Sequence, residues 1–185
     1  VMTATPIPRT IAMTVFGDLD ETRMAGMPKG RTPVATFLAD AANTAWVERT
    51  WTRAAEEIDA GHRVYVVCPR IDASDTVADA EEEDARPLAS VEEVAAYLRS
   101  HPALAGLAIH ELTGRTPTAL KAQIMEDFSA GRAPLLVATT VIEVGVDVPE
   151  ATLMVILDSQ QCGLAQLHQL RGRVGRSSLP SLCIA

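Results

Sequence analysis

At 185 residues the chain is long enough to bury one core. Hydrophobic residues make up 48% and aromatics only 4%, and Val, Ile, Leu and Ala dominate, which suits a sheet covered by helices better than a β-sandwich. The net charge of −8 argues at first against a nucleic-acid partner, and the short apolar runs exclude a membrane span.

In chain order, residues 1–10 begin as a strand end and break at Pro6 and Pro8. A short helix over 10–16, a short strand over 22–27 and a turn at Pro28-Lys29-Gly30 are predicted next. Residues 32–38 read as a strand with its proline at the start. From 43 to 60, Trp46, Val47, Thr50, Trp51, Ala54, Ala55 and Ile58 follow helical spacing; both tryptophans are expected in the core, and Gly61 stops the helix. The continuous apolar run 64–68 predicts a strand buried on both faces.

Residues 72–84 then hold Asp72, Asp75, Asp79, Glu81, Glu82, Glu83 and Asp84 with no Lys or Arg, a solvated or disordered insertion. Setting those seven aside leaves 17 acids against 16 basic residues, so the global charge says little about the partner. Ser90 and Glu93 form a capping box that opens a helix with Val91, Val94, Ala95 and Leu98 on its apolar face. A strand over 107–112 leads to a helix that starts at Thr116-Pro117, runs through Leu120, Ile124, Met125 and Phe128, and ends at Gly131. Strands follow over 135–140, 152–157 and 182–185. Strands and helices alternating in this way predict an α/β fold, a parallel doubly wound sheet with helices on both faces and its site at the strands' C-terminal ends. Cys68, Cys162 and Cys183 lack metal-ligand spacing and His62, His101, His110 and His168 are scattered, so no metal site is expected; the thiols suit a reducing, cytoplasmic compartment.

Chemistry concentrates in Gln169-Leu170-Arg171-Gly172-Arg173-Val174-Gly175-Arg176. On a continuous helix Gln169, Gly172, Arg173 and Arg176 share one face. Glycine is disfavoured in a helix, so two here suggest something large close to the backbone. Two guanidinium forks suit a polyphosphate; the plainer alternative is a basic helix end that meets its own dipole. At another strand end, the Thr139 and Thr140 hydroxyls suit a backbone phosphate or a simple capped turn. Asp147, among apolar residues, needs a partner such as a ribose hydroxyl or an arginine. Gly114 and Arg115 offer a further phosphate contact or an ordinary surface loop. A Gly-x-x-x-x-Gly-Lys-Ser/Thr loop and paired acids at the end of an apolar strand are both missing. The residues read as half an active site.

Thr3-Ala4-Thr5, residues 138–149 and residues 163–176, in this order and spacing, resemble motifs III, V and VI of superfamily 2 helicases. Met2-Thr-Ala-Thr-Pro-Ile-Pro-Arg-Thr10 and Gly30-Arg-Thr-Pro33 narrow the resemblance to the RecG family of ATP-dependent DNA helicases; the transcription-repair coupling factor shares the 163–176 block. The resemblance implies a RecA-like sheet of the P-loop NTPase type. Residues 29–185 would form the second of two motor domains, and residues 1–28 the tail of the first. It implies ATP and Mg²⁺ as cofactors, with the phosphate loop and the Mg²⁺ ligands supplied by the first domain. Arg173 and Arg176 match the arginines that reach the γ-phosphate; Gln169, Gly145 and Asp147 match nucleotide-side positions. Thr139, Thr140, Gly114 and Arg115 match DNA-contacting positions, and Thr3 and Thr5 a motif that couples nucleotide state to DNA grip. Branched DNA (forks and Holliday junctions) and a wedge domain of the same chain are the implied partners of a monomeric enzyme. A non-catalytic interaction module that kept the fold remains the alternative.

Overall fold

The structure, a computed structural model, describes residues 31–72, 88–143 and 147–185. The elements expected at 10–16 and 22–27, and the proposed tail over 1–28, lie outside the described residues. Six strands form one parallel sheet: β1 (Val34–Phe37), β2 (Arg63–Val67), β3 (Ile109–Leu112), β4 (Leu135–Ala138), β5 (Ala151–Ile156) and β6 (Ser181–Ile184). Their spatial order is β1-β6-β5-β2-β4-β3. Four helices connect them: α1 (Thr44–Asp59), α2 (Val91–Ser100), α3 (Thr118–Ala130) and α4 (Leu164–Arg171).

The central strands are apolar almost throughout, Arg63 and Thr152 apart, because both of their faces are covered. Side chains alternate with a period of two, which sorts them into two cores. Val64 and Val66 of β2, Leu135 and Val137 of β4, and Leu153 and Val155 of β5 pack with Trp51, Ala54, Val91, Ala95 and Leu98 from α1 and α2. Tyr65, Val67, Leu136, Ala138, Met154 and Ile156 face the other way and meet Ile124 and Phe128 of α3 and Leu170 of α4. The Tyr65 and Phe128 rings lie 4.6 Å apart, and this pair ties α3 to the central strand.

The helix signals act as expected. Ser90 Oγ accepts from Glu93 N at 3.3 Å, and Gly61 and Gly131 adopt left-handed φ of +84° and +79°; Asn43 Oδ1, an N-cap not among the expectations, accepts from the Ala45 backbone N–H at 3.1 Å. Two expectations need correction. The strand expected over 107–112 begins only at Ile109, because Gly106 (φ +83°) turns the chain and Leu107 N donates to Leu104 O. Trp46 is 49% exposed and does not join the core expected for both tryptophans, and Leu120, on the helix as expected, is 45% exposed. Both sit in the first turn of their helices, at the C-terminal rim of the sheet, one turn before the buried stripe starts at Thr50 and Trp51 in α1 and at Ile124 in α3.

Candidate functional site

Gly114, Arg115, Thr139 and Thr140 lie at the C-terminal rim, where β3 and β4 release their loops, whereas Gln169, Arg173, Arg176 and Asp147 lie at the opposite rim, beside the starts of β1, β5 and β6, and not at the strands' C-terminal ends as expected. Leu112 pairs with Ala138 across β3 and β4, and Thr139 N donates to Leu112 O at 3.1 Å, so the loops after these strands run side by side. This brings Gly114 and Arg115 next to Thr139 and Thr140. Thr139 is buried, and Thr140 opens a 3₁₀ turn (Thr140–Glu143), not an α-helix. The 113–116 turn is pinned by its own hydroxyls: Thr113 N donates to Thr116 Oγ1 at 3.0 Å and Arg115 N to Thr113 Oγ1 at 3.2 Å. The exposed Arg115 guanidinium reaches Asp72, Nη1 to Oδ2 at 2.5 Å.

The second group of candidates is built by α4 and the chain behind it. Continuation of this helix through Arg176 was expected, and it does not occur. Helix α4 ends at Arg171; Gly172 caps it and donates to His168 O at 3.1 Å. Arg173 N to Leu170 O at 2.9 Å then tightens the turn. Gln169, Arg173 and Arg176 therefore do not share a helix face. The glycines also have reasons inside the chain itself. Gly175 has φ +71°, and a Cβ there would lie 2.5 Å from Val34 Cγ2 on β1. Val174 is buried beside it, so the turn is anchored to the sheet.

Arg176 folds back across this turn. Its Nε donates to Gly172 O at 2.8 Å, which satisfies a carbonyl at the end of α4, and its Nη1 pairs with Asp147 Oδ1 at 3.1 Å. The plainer alternative is thus partly realised, and Asp147 has an arginine for its partner. Arg173 is half-buried and Gln169 half-buried one turn earlier. Burial pushes the Tyr65 hydroxyl up to about 12, against the opposing pull of the nearby Arg173 and Arg176 charges. Both arginines therefore lie close to the central strand. Gly145, Thr3 and Thr5 lie outside the described residues.

The donor set fits a polyphosphate: two arginines lie near Tyr65 at one rim, with the Asp147 carboxylate on one of them. Among the described residues no group of three His, Cys, Asp or Glu side chains could hold a metal ion, so Mg²⁺ would need ligands from elsewhere. An apolar cavity of about 780 Å³ between α3 and the 3₁₀ turn, lined by Tyr65, Leu112, Met125, Val141 and Ile142, contains neither arginine. Asp72 was missed as a partner of this rim. Its position just past β2 was legible, but its approach to Arg115 depends on the strand order.

Residues 49–178 match the helicase conserved C-terminal domain. The chain is 48% identical over 188 residues to the ATP-dependent DNA helicase RecG of Mycobacterium tuberculosis, with all of this chain aligned to 25% of that protein. A solved structure of RecG bound to a three-way DNA junction superposes with a TM-score of 0.71 at 36% identity, over 98% of this chain and 22% of that one. The fold alone is shared with S. cerevisiae Dbp5 bound to RNA and ADP BeF3, at 17% identity and a TM-score of 0.63, over 98% of this chain and 43% of that one. The chain spans about a quarter of the length of the curated relatives it matches. Because the matched stretch takes in the rim loops after β3 and β4 and both Arg173 and Arg176, the chain belongs to the helicase conserved C-terminal domain family.

Proposed function

We propose that this chain is the second motor domain of a RecG-type, ATP-dependent translocase on double-stranded DNA. The whole protein would remodel forks and Holliday junctions as a cytoplasmic monomer, with residues 29–185 as this domain and residues 1–28 as the tail of the first. The observation that supports this most is the paired arginine turn behind α4, with Arg176 on Asp147 at 3.1 Å, in a chain similar to RecG along its full length.

In this reading Arg173 and Arg176 donate to the γ-phosphate of an ATP held chiefly by the first motor domain, while Gln169, Gly145 and Asp147 line the nucleotide. Bound Mg²⁺ neutralises phosphate charge there, on ligands outside this chain. The Thr139 and Thr140 loop and the Gly114 and Arg115 loop meet DNA phosphates, and Thr3 and Thr5 couple the two events. Arg176 must leave Asp147 or share it when nucleotide enters. Asp147 is 55% exposed, so water screens the pair and the exchange costs little.

The test is DNA-stimulated ATP hydrolysis by the full-length protein, wild type beside Arg176→Ala. A turnover roughly 10³-fold lower in the variant, with nucleotide binding retained, is the expected result. A variant as fast as wild type removes the role given to Arg176. A wild type inactive on every DNA removes the motor reading in favour of an interaction module.

A further inference from the structure

The phosphate-facing arginine of the 113–116 loop already holds an anion, and the anion belongs to the same chain. We propose that Asp72 competes with DNA phosphate for Arg115, so that DNA binding at this loop is an exchange of one anion for another. The inference rests on the reading of Arg115 as a DNA contact.

The geometry favours a fixed competitor over a passing one. Asp72 lies just past β2, on backbone stitched to the start of α2: Val91 N donates to Arg70 O at 3.0 Å and Glu92 N to Ile71 O at 3.3 Å. The Arg70 guanidinium then holds the Asp72 carbonyl, Nη2 to O at 3.1 Å and Nε to O at 3.3 Å. The carboxylate is thus delivered from a held main chain, and its side chain is only 18% exposed. Arg115 is held from the other side by the hydroxyl-pinned turn, yet its side chain is 60% exposed. A phosphate can therefore approach the fork from solvent while Asp72 occupies it from within.

The surroundings add to the demand for an anion. Helix α3 starts directly behind Arg115 with Pro117 as its N-cap, without a side-chain cap and without an acid in its first turn. The positive end of its dipole is left to whatever anion Arg115 brings near. An exposed pair of this kind is weak, so the competition tunes affinity and does not block binding.

The experiment is an anisotropy titration of a labelled forked duplex with the full-length protein, without nucleotide, comparing wild type, Asp72→Asn, Arg115→Ala and the double variant. Arg115→Ala weakens binding. Asp72→Asn tightens it about two- to fivefold, and this gain disappears in the Arg115→Ala background. The slope of log K against log salt also steepens in Asp72→Asn, by up to about one, because displaced Asp72 takes up a counterion in the wild type. Unchanged or weaker binding by Asp72→Asn, with Arg115→Ala weakened, overturns the competition and leaves Arg115 on the DNA. Equal tightening in both backgrounds overturns it too, as a general charge effect. Arg115→Ala binding as tightly as wild type removes the DNA role of Arg115 and the proposal with it.

Discussion

Thr152→Val is expected to destabilise the domain far more than its shape change suggests. Arg63 pairs with Ala151 and Val64 with Leu153, so Thr152 is the residue skipped where the register of β2 and β5 shifts. The bulge turns its side chain toward α1, where Thr152 Oγ1 donates to Glu57 Oε2 at 2.6 Å. Glu57 is a buried carboxylate whose other partners are His62, at 2.7 Å, and the Arg53 guanidinium. Valine fills nearly the same volume and leaves no cavity, so the loss is one hydrogen bond to a charged, desolvated acceptor, about 1.5–3 kcal/mol. For a domain of this size that lowers the melting temperature by roughly 3–10 °C. Burial alone would raise the Glu57 pKa, but the bonds from Thr152 and His62 and the charge of Arg53 outweigh it and hold it below its ordinary 4.5. A folded pKa below the unfolded one gives stability that is complete above the unfolded value and fades as pH falls through the folded one. The gap between wild type and Thr152→Val, followed by circular dichroism melts, should be widest near neutrality and narrow below 4.5. Thr152→Ser, which keeps the hydroxyl, should retain most of the stability at pH 7. A shift under about 1 °C for valine, or a gap constant with pH, refutes the role given to this network.

Phe128→Ala removes the fully buried ring stacked on Tyr65 and should cost about 3–5 kcal/mol in urea unfolding. Gly175→Ala places a Cβ at left-handed φ and against Val34. It should cost more than about 1 kcal/mol in the same measurement, and Val34→Ala should return only the part due to the contact. Burial pushes the Cys68 thiol up to about 12 and Cys183 to about 11, whereas Cys162 is partly exposed. Iodoacetamide at pH 8 should alkylate Cys162 in the native protein and reach the other two only on unfolding, as peptide mass spectrometry reads directly.

The buried strands were legible because a strand covered on both faces must be apolar throughout, as in Val64 to Val67, and few other patterns explain so short a run. Ser90, Gly61 and Gly131 were legible because each acts through bonds within four residues of itself. Four features depended on distant neighbours and were not. Glu57 reads as surface in a helix, since only the bulge at Thr152 gives a buried carboxylate its donor. Trp46 and Leu120 have core spacing, but they lie where the helices overhang the sheet, and periodicity carries no information about sheet length. The need for glycine at 175 was set by Val34, 141 residues away in sequence. Asp72 meets Arg115 only because β4 inserts between β2 and β3, an order that no local signal encodes.

The sheet holds its charges under two kinds of physics, and the difference locates the functional loops. At the N-terminal rim, Glu57 is buried among three donors, and removing a charged one leaves a carboxylate that water reaches poorly. Breaking such a buried arrangement costs about 3–5 kcal/mol, so it is committed to the fold. Asp72 holds Arg115 at the C-terminal rim and Asp147 holds Arg176 at the N-terminal one, and at least one partner of each pair is more than half exposed. Exposed pairs contribute about 1 kcal/mol or less, which a single phosphate oxygen matches. Charges of the first kind cannot be traded for a ligand without unfolding the domain around them. Those of the second kind can be traded at almost no cost in stability, and they sit on both of the loops that the sequence marked for phosphate.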